Sequence, residues 1–125
     1  MALTGLETGY IVVYIGDVSA GDDLTAYLLK PDRKMVVNAV QVGVSSATSA
    51  DGTNYVTIAV RNGSNDIASR ATNSADLEAG VTSLTVNDSY KHVDADGVVS
   101  LVITHAGTGA ALADLTVILK VGFED

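Results

Sequence analysis

The last third of the chain, residues 97–124 (GVVSLVITHAGTGAALADLTVILKVGFE), alternates in hydropathy with period two on both sides of a loop of small residues. Val99, Leu101 and Ile103 share one parity, against Ser100, Val102 and Thr104 on the other. Beyond the loop, Leu115, Val117, Leu119, Val121 and Phe123 alternate with Thr116, Ile118, Lys120, Gly122 and Glu124. Successive side chains of a strand point to opposite faces, so this spacing gives two strands with one dominant apolar face each. The enrichment in β-branched residues favours strands over helices. We read residues 97–124 as a long antiparallel hairpin, turning through 106–113, that supplies much of a sandwich core.

The rest of the chain breaks into shorter pieces of the same kind. Residues 10–15 (YIVVYI) are apolar on both faces, which suits a central strand or one covered by another subunit. A turn at 17–23 and a strand at 24–30 follow, and then Lys30, Pro31, Asp32 and Arg33, which suit a type I turn with proline second. In 35–44, Val36, Val40, Val42 and Val44 share a parity that Asn38 interrupts. A loop at 45–53 precedes the clean alternation of 55–61, with Val56, Ile58 and Val60 inward. A turn at 62–66, a weak strand at 67–72, one helical turn at 73–80, a strand at 81–86 and a short edge at 90–93 complete the series. Closely spaced short strands with turn residues between them indicate an all-β chain. The expectation is a single-domain antiparallel β-sandwich of about eight strands over residues 10–125. An N-terminal arm at 1–9, without clear period, precedes it.

Composition narrows the function classes. At 125 residues the chain can bury a core without staples. With no Trp and one Phe, that core is aliphatic. The net charge of −8 repels phosphate backbones, and Lys30, Arg33 and Lys34 merely bracket a turn, so no nucleic-acid partner is expected. The absence of Cys removes disulfide and thiol chemistry. No apolar run approaches the roughly 18 residues that span a bilayer. The start, MALTGLETGY, lacks the pattern of a secretory signal. These features predict synthesis in a cytoplasm and no membrane partner.

Candidate chemistry is sparse. Gly107, Thr108 and Gly109 invite a phosphate-loop reading, but such a loop must open a helix, and here it opens a strand. Asp94, Ala95, Asp96 and Gly97 echo the start of a calcium loop whose twelfth position would be His105 rather than an acid. Asp22, Asp23 and Asp51 are turn acids of the same kind. His92 and His105 lie at strand ends without zinc-site spacing. Ser83, Ser89 and Ser100 lack a nucleophile-elbow context. Asn62 and Asn87 begin glycosylation triplets that, without an export signal, read as turns. Neither cofactor, nor metal, nor catalysis is expected. Tyrosine buries an apolar body while its hydroxyl finds a partner, which suits interfaces. Tyr10, Val12, Tyr14, Tyr27 and Tyr55 are therefore the candidate partner-interface residues.

A resemblance adds to this. The strand KMVVNAVQVGV (34–44), TNYVTIAVRNG (53–63), VTSLTVN (81–87) and the close DADGVVSLVITHAGTGAALADLTVILKVGFE (94–124) together resemble small bacteriophage virion proteins of jelly-roll type. That group includes capsid decoration (cement) proteins and related head-fibre and tail-associated modules. The resemblance implies a jelly roll and a non-enzymatic subunit, usually a homotrimer. Such a subunit sits on the outer capsid surface and bridges major capsid proteins. It carries over no active-site residues. The alternative is a tail- or fibre-associated module that binds host-surface glycan or receptor.

Overall fold

The computed structural model describes residues 8–124. They form nine strands: β1 (Thr8–Val18), β2 (Leu24–Leu29), β3 (Met35–Val44), β4 (Tyr55–Asn62), β5 (Asn65–Ala71), β6 (Gly80–Leu84), β7 (His92–Val93), β8 (Val99–Ala106) and β9 (Leu112–Phe123). One sheet runs β1-β9-β3-β6, with the short β7 also on β3; the other runs β2-β8-β4-β5. All pairings are antiparallel. Among the named strands, only β4 and β5 are both consecutive in sequence and paired with each other. Eight main strands divided in this order between two facing sheets make a jelly roll.

The core fills the space between the sheets and is aliphatic. Val56, Ile58 and Val60 of β4 face Val40 and Val42 of β3 and Val117 and Leu119 of β9, all essentially without exposure. Each such side chain stabilises the fold by about 1.5–3 kcal/mol through the apolar surface it buries. On β8 and β9 the predicted parities hold: Val99, Leu101 and Ile103, and Leu115, Val117 and Leu119, are buried.

The partners of those two strands differ from the expected hairpin. β8 pairs with β2 and β4, whereas β9 pairs with β1 and β3. The loop between them crosses from one sheet to the other. Alternation fixes which face of a strand is buried and says nothing about which strand lies beside it, so a hairpin and a crossing arch share one pattern.

Three other local readings change. In β3 the register against β9 slips between Val37 and Ala39, so Asn38 sits in a bulge. The extra residue reverses parity. Met35 and Val37 are buried ahead of it and Val40, Val42 and Val44 after it, leaving Val36 half-buried on the outer face. Residues 73–80 form no helical turn. Leu77 instead plugs into the core and makes an isolated bridge with Thr48. β1 continues through Val18 into the expected turn, because Val18 is buried. The expected arm at 1–9 lies outside the described residues except for Thr8 and Gly9, which belong to β1.

Candidate functional site

The outward side of the β1–β9–β3–β6 sheet carries four exposed large hydrophobic residues, Tyr10, Val12, Tyr14 and Val81. The registers place its residues in rows. Val12 lies beside Ile118, then Gln41, then Ser83. Tyr14 lies beside Thr116, then Gly43, then Val81. Tyr10 lies beside Lys120. Tyr10, Val12 and Tyr14 are 67%, 63% and 65% exposed, and Val81 is also open to solvent. Gly43 has no side chain to fill its place in the row, which leaves a shallow notch lined by Val81, Thr116 and Ile118.

One end of this face is fixed by an acidic residue in an unusual conformation. Asp114 has φ +50°, a left-handed backbone that aspartate tolerates better than most residues. Its N–H donates to Asp17 Oδ1 (2.9 Å). Tyr14 Oη donates to its Oδ1 and Ser45 Oγ to its Oδ2, each at 2.8 Å. These bonds, Tyr14 first and Ser45 second, hold the Asp114 carboxyl below the ordinary carboxylate value. The bond to Asp114 raises the Tyr14 hydroxyl above its ordinary value in turn, helped by desolvation and by the Asp114 and Asp17 charges. Three elements are thereby tied together: β1, the end of β3 and the start of β9.

The other predicted interface residues lie elsewhere. Tyr27, 79% exposed, stands on β2 in the opposite sheet, beside a shallow apolar depression formed with Leu28, Leu29 and Val98. Tyr55 is half-buried at the start of β4. The structure thus gathers Tyr10, Val12 and Tyr14 on one strand face and separates Tyr27 and Tyr55 from them. Ile118, Thr116 and Val81 complete the face. Sequence reading put Thr116 and Ile118 on the minority parity of their strand and Val81 merely at the start of another, and their grouping requires the sheet order.

The remaining motifs have structural explanations. The 107–109 loop is docked, not loose. Thr108 N–H donates to Asn54 Oδ1 (2.8 Å), and a Cβ on Gly109 would come 2.5 Å from the His105 ring and 2.6 Å from Gly21 N. Gly107 and Gly109 both have positive φ, +62° and +78°. His105, its side chain only 3% exposed, is gripped at both ends of its ring. Nδ1 lies 3.2 Å from Asp23 Oδ1 and Nε2 lies 3.0 Å from Ala110 O. His92 pairs with Glu124 (2.7 Å) at the other sheet. Asp51 Oδ1 accepts from Thr53 N–H (2.8 Å) and Asn54 N–H (2.9 Å), closing a turn. Those two bonds, Asn54 first, hold its carboxyl below the ordinary value. Asp96 has φ +65° and sits in a turn closed by Gly97 N–H donating to Asp94 O (2.9 Å). Ser83 Oγ accepts from Gln41 Nε2 (3.1 Å), and Ser100 is buried on β8. Among the described residues no group of three His, Asp or Glu is placed to hold a metal ion.

A scan against protein families finds no match, and no curated protein matches the chain. Among solved structures, the chain is similar to one from the structure of infectious bursal disease virus, Gx strain, at 12% identity and a TM-score of 0.33. The match covers 90% of this chain and 32% of that one, so the chain spans about a third of the length of the structure it matches.

Proposed function

We propose that the protein is a non-enzymatic virion structural protein, a decoration subunit seated on the outer surface of a bacteriophage head. It is synthesised in the host cytoplasm and docks on the major capsid protein through the outer face of its β1–β9–β3–β6 sheet. The observation that carries this reading is the row of Tyr10, Val12 and Tyr14. Three large residues stand two-thirds exposed on one strand of a domain whose core is otherwise complete. Apolar surface held in water at that cost marks an interaction site. The face is an open sheet surface with a shallow notch at Gly43, which suits another protein better than a small substrate. The resemblance of residues 34–124 to phage virion proteins supplies the class of partner.

The test is co-sedimentation of the purified protein with heads of the phage that encodes it, prepared without the protein. Wild type is expected to pellet with the heads. Tyr10→Asp is expected to stay in the supernatant while keeping its far-ultraviolet circular dichroism. Wild type that fails to pellet, or Tyr10→Asp that pellets equally, defeats the proposal. Retention on host-surface glycan, lost in Tyr27→Ala, would instead favour the receptor-binding alternative, because Tyr27 stands beside its own apolar depression.

A further inference from the structure

We infer that β1 is the seat of a two-fold self-association, in which residues 10–14 pair antiparallel with the same residues of a second copy, centred on Val12. β1 bonds to β9 along one edge, and its other edge has no partner strand among the described residues. Long edges are normally guarded by charge, proline or a bulge. The other three edges of the sandwich are short or guarded. β6 has five residues, β2 has six with a bulge after Tyr27, and β5 carries Asp66 and Arg70. Residues 8–16 (TGYIVVYIG) hold neither charge nor proline, and the irregularities of β1 begin only after Tyr14.

This edge is complementary to itself. Centred on Val12, antiparallel pairing sets Val12 against Val12, Tyr10 against Tyr14 and Ile11 against Val13. Aromatic and β-branched cross-strand pairs of this kind stabilise sheets. The centre is constrained by the faces. Residues opposite one another in a sheet share a face, so an outward residue must meet an outward one. Moving the axis between Val12 and Val13 would set outward Tyr10 against inward Ile15. Moving it by a whole residue to either side breaks the tyrosine pairs.

Charge points the same way. Lys120 lies beside Tyr10, while Asp114 and Asp17 are bonded at the Tyr14 end. A two-fold axis at Val12 brings the basic end of one copy against the acidic end of the other. Elsewhere two chains of net charge −8 repel. An isologous contact of this form closes as a dimer. That differs from the three-fold association implied by the resemblance. It does not rest on the capsid reading either, because pairing uses the edge in the plane of the sheet and leaves the outer face open, doubled in width.

The test is solution mass of the full chain by light scattering and sedimentation across a dilution series, with no shell present. Wild type is expected to run as a dimer that dissociates on dilution. Val12→Lys sets two like charges opposite each other at the axis and is expected to weaken association at least about ten-fold. The chain has no cysteine, so Val12→Cys gives one crosslinking position. A short bis-maleimide is expected to yield covalent dimer at Val12→Cys and none at Tyr27→Cys, on the opposite sheet. Monomer or trimer mass overturns the inference, as does a dimer indifferent to Val12→Lys. Equal crosslinking at both positions overturns it too. Were Val12→Lys to misfold, the crosslinking comparison alone decides.

Discussion

Replacing Gly107 and Gly63 by alanine in parallel separates two reasons for a glycine that a sequence cannot distinguish. Both residues hold left-handed backbone, at φ +62° and +60°. Alanine therefore costs each about 1–2 kcal/mol from the backbone alone. Their surroundings differ. Nothing lies within 4 Å of a Cβ added to Gly63, whereas one added to Gly107 would meet Thr53 O at 2.6 Å and run into Asn54 Oδ1. The Asn54 oxygen is already accepting Thr108 N–H at 2.8 Å. Moving it aside forfeits a hydrogen bond worth about 1 kcal/mol. Thr53 O is main chain, and shifting packed backbone costs about 1–3 kcal/mol more. Gly107→Ala is thus expected to destabilise by about 2–4 kcal/mol beyond Gly63→Ala. At roughly 4 °C per kcal/mol for a domain of this size, the two melting midpoints should stand about 8–16 °C apart. Urea titration at neutral pH, followed by far-ultraviolet circular dichroism, gives the free-energy difference directly. Equal destabilisation of the two variants would refute the docking of the 107–109 loop on residues 53–54.

Two further outcomes follow from the same geometry. A depressed carboxyl contributes stability above its unfolded value and loses it as pH falls through its lower folded value, so the Asp114 contribution disappears on acidification below pH 3.8. The raised Tyr14 hydroxyl contributes below pH 10.0 and loses that contribution as pH rises through its folded value. Asp114→Asn removes the shared charge, so its stability, measured by urea titration from pH 2 to 11, should be flatter than wild type at both extremes. For the core, Leu119→Ala empties a fully buried site on β9 and should cost about 2–5 kcal/mol, whereas Ile118→Ala, one residue earlier on the outer face, should cost about 1 kcal/mol. Comparable losses in thermal melts would mean the two faces of β9 are wrongly assigned.

Much of the fold was legible because period two reports burial directly. Val56, Ile58 and Val60, and Leu115, Val117 and Leu119, follow from alternation alone and lie in the core. What alternation omits is the identity of the neighbour. β8 and β9 look like a hairpin because each has one apolar face and few residues separate them, yet their partners lie in different sheets. The distinguishing contacts run from Gly107 to Asn54 and from Gly109 to Gly21, residues far away in sequence. Asn38 did carry a local mark, a polar residue in an apolar parity, and that mark is the bulge.

The interaction face was half legible, and the missing half shows what an edge strand reveals. Apolar residues on both parities of 10–15 required cover on two sides, which a central strand or a subunit contact would each provide. In the structure one face of β1 is turned to the core and the other is open, so the two parities have separate causes. Ile11 and Ile15 are half-buried against the core, and Val13 is half-buried on the same parity beside buried Val117, which explains them. Tyr10, Val12 and Tyr14 contribute nothing to that core and stand exposed. Tyr14 still ties β1 to Asp114, but at positions 10 and 12 folding alone would be served as well by Thr, Lys or Ser, and an edge would be safer with them. Their retention as large apolar residues is therefore information about a partner rather than about the fold. The sequence of β1 could not reveal this by itself, because the outward row becomes surplus only once the fold shows that, among the described residues, no further layer covers the outer face of the β1–β9–β3–β6 sheet.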